Sequence, residues 1–96
     1  MAANVQHSAE DQEFTIEQDY YSAELAYSKP QTGVIDFTHT YVDEALRGKG
    51  LAEELGRAGL EYARAEKLKV RTSCEFMQGF VQRNAQYQEL LEKSGS

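Results

Sequence analysis

Apolar and polar positions alternate through the first half of the chain and take helical spacing in the second. Glu13-Phe14-Thr15-Ile16-Glu17 alternates as a half-buried strand does. Tyr20 to Ser28 alternates again, with Tyr21, Ala23, Leu25 and Tyr27 on one face. Lys29-Pro30-Gln31-Thr32-Gly33 has the composition of a turn and holds the chain's only proline. Val34 to Val42 is rich in β-branched and aromatic residues and predicts a third strand. The short connections make these three an antiparallel meander.

From about Leu51 to Glu66 the period changes. Leu51, Leu55, Ala58 and Tyr62 recur at helical spacing, with Ala52, Gly59 and Ala63 beside them. Glu53 and Arg57 are placed for a surface pair. Gly56 and Gly59 each cost a helix about 1 kcal/mol against alanine, and a close helix-on-sheet contact would explain them. Leu68 to Thr72 reads as a fourth strand, returned through a helix, so a parallel right-handed crossover is expected. Phe76, Met77, Phe80 and Val81 form the apolar stripe of a short helix ending near Asn84, and Tyr87, Leu90 and Leu91 pack a last helical turn or two. The fold class is therefore α/β (α+β): a three-strand meander, a β-α-β crossover and short C-terminal helices over residues 13–92. Residues 1–12 and 93–96 read as polar tails, with His7 solvated in the first.

Ninety-six residues allow one domain, expected as a monomer or weak homodimer. No apolar run approaches the ~20 residues of a membrane span, and the N-terminus lacks a signal-peptide pattern. A single cysteine excludes an internal disulfide and fits a reducing, cytoplasmic setting. A formal charge of −6 argues against a general nucleic-acid binder. No His, Cys, Asp or Glu cluster has metal-ligand spacing, so no metal is expected.

Against that acidic background, Arg47-Gly48-Lys49-Gly50-Leu51-Ala52 joins the third strand to the long helix. Its glycines allow a tight turn and a close backbone approach to a ligand. The free N–H groups of the following helix suit an anion such as phosphate. Many strand-to-helix turns need glycine for conformation alone, so spacing leaves both readings open. In a parallel βαβ unit, ligands favour the crevice beyond the strand ends, here marked by Tyr41 and Val42 and by Ser73 and Cys74. Thr72-Ser73-Cys74-Glu75 fits a capping box with Thr72 as cap. That would set Cys74 in the first helical turn, where the dipole favours a thiolate; a small buried cysteine without chemistry is the alternative. His39 is expected on one strand face with Ile35, Phe37 and Tyr41 and near Cys74, either as a satisfied core residue or as a base. Asn84 suits a left-handed helix cap, and Arg83 is either solvated or aimed at a ligand.

Arg-x-x-Gly-x-Ala resembles the acetyl-CoA pyrophosphate motif (Gln/Arg-x-x-Gly-x-Gly/Ala) of the GCN5-related N-acetyltransferases. The wider block from His39-Thr40-Tyr41-Val42, through the glycine turn, to Thr72-Ser73-Cys74 is similar to the minimal single-domain branch of that superfamily. Arg83-Asn84-Ala85-Gln86-Tyr87 stands where that branch has Arg-His/Asn-Pro-x-Tyr/Trp, with Ala85 departing from the proline. The resemblance runs from about Phe14 to Leu91. It implies acetyl-CoA as cosubstrate, with pantetheine along Tyr41 and Val42 between splayed strands. Pyrophosphate would rest on Arg47, Gly48, Lys49, Gly50, Leu51 and Ala52, with Arg83 and Asn84 nearby. It further implies acetyl transfer to an amine acceptor, directly or through Cys74 with His39 as base. The elements that bind the acceptor in larger members are reduced or missing, which leaves a non-catalytic CoA-binding or protein-interaction module as the alternative.

Overall fold

In the computed structural model, which describes residues 4–92, five strands form one sheet in the order β1-β2-β3-β4-β5. They are β1 (Gln6–Ser8), β2 (Glu13–Gln18), β3 (Tyr21–Gln31), β4 (Val34–Val42) and β5 (Lys69–Thr72). Helix α1 (Leu51–Ala65) links β4 to β5, and α2 (Glu75–Arg83) follows β5. Short 3-10 turns cover Glu44–Leu46 and Ala85–Leu90. Strands β1 to β4 are antiparallel neighbours, and β5 lies parallel to β4. None of the described helices is long and apolar enough to cross a membrane.

The alternation works as expected through β2 and from Ala23 to Tyr27 in β3, while Tyr21, expected on the same face, is exposed at the start of the strand. Phe14, Ile16, Ala23, Leu25 and Tyr27 are all buried beneath α1. Gly59 shows why the helix tolerates a glycine: a Cβ there would come within 2.8 Å of Phe37 and 3.0 Å of Leu25. Gly56 serves a different contact, against Met77 and Phe80 of α2 at 3.3 Å. The C-terminal segment closes the outer edge of β5. Leu91 bridges Val70, Glu92 N–H donates to the Val70 carbonyl at 2.8 Å, and Glu92 pairs with Arg71 at 2.8 Å. Tyr87 packs rather than reaching a ligand: it is buried, and its hydroxyl donates to Glu61 at 2.8 Å.

Several expectations are corrected. The stretch from Lys29 to Gly33 is mostly strand. Gln31 pairs with Val34 across the two-residue turn Thr32-Gly33, where Gly33 has φ +82°. Pro30 sits in an irregularity where Lys29 and Pro30 together oppose Ile35, a place that tolerates a residue without an N–H. Residues 6–8 form β1 rather than part of a tail; His7 is exposed there, as expected, but makes side-chain contacts. Its ring stacks 4.2 Å from Phe14, and its Nε2 lies 2.6 Å from the Tyr27 hydroxyl. Burial, then the neighbouring Lys29 ammonium, hold the His7 imidazole below its ordinary value. Residues 93–96, expected as a second tail, lie outside the described residues.

Two irregularities in β4 and β5 shape the end of the sheet. Tyr27 pairs with Phe37 but Ala26 pairs with His39, so Thr38 is an extra residue, a β-bulge. Bulges bend a strand and interrupt its ladder. Pairing between β4 and β5 stops at this point, with Phe37 opposite Thr72. The final link is the Cys74 N–H donating to the Phe37 carbonyl at 2.9 Å. From Thr38 to Val42, β4 runs on without β5 beside it.

Candidate functional site

The glycine turn begins where β4 ends. Asp43 N–H donates to the Ser22 carbonyl at 3.1 Å, and the Asp43 carboxylate accepts from Ala45 N–H at 3.1 Å. Leu46 is buried and anchors the short 3-10 turn in the core. Arg47 folds back, its Nε donating to the Val42 carbonyl at 3.2 Å. Gly48 and Gly50 have φ +83° and +74°, the left-handed region that glycine enters without steric penalty. Gly50 is the N-cap of α1 and supplies no side-chain acceptor. The first helical bond runs from Glu54 N–H to the Gly50 carbonyl at 3.1 Å. The N–H groups of Leu51, Ala52 and Glu53 therefore have no partner within the helix.

These groups surround a hollow of about 280 Å³. Val42, Arg47, Gly48, Gly50, Leu51 and Ala52, all expected at the site, line it together with Leu46 and Glu53. A turn with two left-handed glycines, unpaired helix N–H groups and an adjacent guanidinium fits a pyrophosphate group. The Glu53 carboxylate is the one feature of the wall that opposes an anion. It forms no ion pair with Arg57 among the described residues, contrary to expectation. Lys49 is exposed and does not line the hollow. A larger hollow of about 440 Å³ lies at the β2–β3 hairpin, from Glu17 to Ser22. Its walls carry two carboxylates and no helix N-terminus, which disfavours an anion there.

Cys74 occupies the point where β4 and β5 part. It is the N-cap of α2, which starts at Glu75, while Thr72 remains in β5, so the expected capping box with Thr72 as cap does not form. In its place Asp36 holds the approach to the helix. Its two carboxylate oxygens accept from the Ser73 N–H at 3.1 Å and the Ser73 hydroxyl at 2.8 Å. The Cys74 sulfur, half-buried, lies 3.1 Å from the Thr40 hydroxyl oxygen.

Thr40 was not singled out from the sequence, and the bulge is the reason it stands here. Without an extra residue, His39 would share the face of Ile35 and Phe37. With Thr38 inserted, Thr40 lies opposite Leu25 and Val42 opposite Ala23, on the helix-covered face. His39 and Tyr41 pair with Ala26 and Glu24 and are exposed on the other face. The expected face-sharing of His39 with Ile35 and Phe37, and its placement beside Cys74, are thereby corrected. The only clue in the sequence was the loss of clean alternation after Phe37, where Thr38-His39-Thr40 carries no apolar residue.

Arg83 and Asn84 do not line the hollow. Arg83 is exposed, and its guanidinium lies where a Cβ on Gly79 would meet it at 3.0 Å. Asn84 ends α2 through its side chain, which donates to the Phe80 carbonyl at 2.7 Å. Its φ of −125° is not the left-handed cap anticipated.

This architecture has known counterparts. The sequence profile of a family described as GCN5-related N-acetyl-transferase matches residues 13–90. Protein NATD1 of Bos taurus is 33% identical over 92 residues, covering 92% of this chain and 81% of the relative. Protein NATD1 of Gallus gallus is also 33% identical over 92 residues, covering 92% and 84%. Among solved structures, the NMR solution structure of a GCN5-like protein from Staphylococcus aureus superposes with a TM-score of 0.74 at 25% identity. That comparison covers 98% of this chain and 94% of the other. With a family profile spanning most of its length and a matching fold, the chain belongs to the GCN5-related N-acetyltransferase family.

Proposed function

We propose that the chain binds acetyl-CoA at the glycine turn and transfers the acetyl group to an amine. The observation that carries this reading is the hollow at the N-terminus of α1, where left-handed Gly48 and Gly50, Arg47 and unpaired N–H groups converge. Bound there, acetyl-CoA supplies an activated thioester. Arg47 and the N–H groups of Leu51, Ala52 and Glu53 would hold its pyrophosphate. The stretch of β4 through Tyr41 and Val42 has no β5 beside it and offers an edge to the pantetheine arm, which would lead from the turn, where Arg47 engages the Val42 carbonyl, towards Cys74. Arg83 and Asn84 are kept as phosphate-side contacts on the strength of the resemblance alone.

Two routes are open to the acetyl group. In direct attack, a neutral amine positioned beside the thioester displaces CoA. In the relay, Cys74 takes the acetyl group first. The position of Cys74 at the parting of β4 and β5 supports the relay. The exposed His39 lies on the opposite face, away from Cys74, which argues against it as the base for the thiol. That separation also favours the rival reading, a non-catalytic CoA-binding module, because the candidate catalytic pair is not assembled.

Calorimetric titration of acetyl-CoA into the domain and into Arg47→Ala tests the binding step. Micromolar affinity that weakens about tenfold in the variant, some 1.4 kcal/mol, is the expected result. A folded wild type that binds neither acetyl-CoA nor CoA would overturn the reading. Mass spectrometry under single turnover then separates the routes, since a stoichiometric acetyl adduct that disappears in Cys74→Ala requires the relay.

A further inference from the structure

We propose that Thr40 is the positioning residue for Cys74, its hydroxyl donating to the sulfur and favouring the thiolate. This rests on the reading that Cys74 receives the acetyl group. The two atoms are 3.1 Å apart, from elements 34 residues apart in sequence. The bulge at Thr38 brings Thr40 to the covered face, in a row otherwise made of Phe37, Val42 and the facing Leu25. A half-buried hydroxyl in such a row needs a partner, and the Cys74 sulfur is the partner it has.

The charges around Cys74 make the donor matter. Asp36 of β4 is bound through both oxygens to Ser73, and Glu75 follows Cys74 in α2. Both carboxylates oppose a thiolate. Arg71 of β5 is engaged by Glu92, and His39 is on the far face of the sheet. Among the described residues neither carboxylate is in an ion pair, so the Thr40 hydroxyl, with the start of α2, supplies the favourable interaction. In the step itself, a bond forms between the Cys74 sulfur and the acetyl carbon. Cys74 has by then released its proton to solvent; the bond from that carbon to the CoA sulfur breaks, its electron pair leaves with CoA, and the CoA thiolate takes a proton from solvent.

Cys74 is the only cysteine in the chain, so alkylation by iodoacetamide reports on it alone. The experiment compares wild type, Thr40→Val and Thr40→Ser across pH, with circular dichroism and melting to verify folding. Thr40→Val is expected to alkylate roughly two- to tenfold more slowly near neutral pH, as expected for loss of one hydrogen bond. Its half-maximal point should move to higher pH, and Thr40→Ser should restore both. A wild-type rate and pH profile in Thr40→Val would overturn the proposal. So would a Thr40→Ser variant that behaves like Thr40→Val, since the effect would then belong to the methyl group. An acetyl-CoA incubation separates the underlying reading. No acetyl adduct on wild type, with the alkylation shifts intact, would sink the relay while leaving Thr40 as the residue that tunes the thiol.

Discussion

At the scale of single residues, the two glycines of α1 make the strongest case that unfavourable local choices have tertiary causes. Helix propensity alone would favour alanine at both by about 1 kcal/mol. At Gly59 the added methyl would meet the Phe37 ring at 2.8 Å and Leu25 at 3.0 Å, in a row of buried side chains with little room to yield. At Gly56 the nearest atoms are the Met77 sulfur and the Phe80 ring at 3.3 Å, and the thioether is flexible. Gly59→Ala is therefore expected to destabilise the domain by about 1–3 kcal/mol through overpacking, despite its propensity gain. Gly56→Ala should lie within about 1 kcal/mol of wild type, because propensity and crowding nearly cancel. Urea denaturation of both variants is the check, and equal midpoints would show that the Gly59 contact relaxes freely. That the glycines needed a close neighbour was legible in the sequence. Which neighbour each one has was not, because α2 packs on α1 through Met77 and Phe80, a contact with no local signature.

At the scale of elements, strand order was readable wherever alternation was clean. In β2 and β3, Phe14, Ile16, Leu25 and Tyr27 alone announced the buried face. In β4 it failed at Thr38, since one inserted residue exchanges the faces of everything after it. The shape of the glycine turn was legible because it lies in backbone conformation, which Gly48 and Gly50 declare directly. The Cys74–Thr40 contact depended on the bulge and was hidden. Strand β1 was missed because three residues are too short to show a pattern, yet side chains pin it. The His7 ring faces Phe14, Tyr27 and Tyr62, and Lys29 donates to the Tyr62 hydroxyl at 2.9 Å nearby. Burial and Lys29 lower the folded His7 value below the 6.5 of an unperturbed histidine. Between those two values the unfolded chain binds more protons. The contribution of His7 is thus complete above pH 6.5 and is lost as the pH falls through the lowered folded value. Denaturation midpoints measured from pH 7.5 down to 5 should fall more steeply for wild type than for His7→Phe. Parallel curves would mean that His7 is as well solvated in the folded protein as in the unfolded one.

At the scale of the whole molecule, the proposed function has a chain of net charge −6 hold a polyanion. The immediate neighbourhood does not reverse that balance. From Asp43 to Glu54 the chain has Arg47 and Lys49 against Asp43, Glu44, Glu53 and Glu54. Side-chain charge is therefore a poor account of affinity, and oriented backbone N–H groups at the start of α1, with the Arg47 guanidinium, have to carry it. These act over hydrogen-bond distance and are little affected by salt, whereas the surrounding carboxylates are screened over a Debye length of about 10 Å at 0.1 M. Raising salt from about 50 to 300 mM should thus leave acetyl-CoA affinity unchanged within about threefold, or strengthen it, opposite to the steep loss typical of basic phosphate-binding surfaces. Stability supplies the readout. A ligand at one hundred times its Kd adds about 2.7 kcal/mol, which for a domain of this size raises the melting temperature by roughly 10–20 °C. That shift should persist at the higher salt, measured against the free protein in the same buffer, and should shrink in Arg47→Ala at both. A shift that collapses with salt would instead assign the phosphate contacts to exposed cations such as Lys49, and the glycine turn would be left with a conformational role.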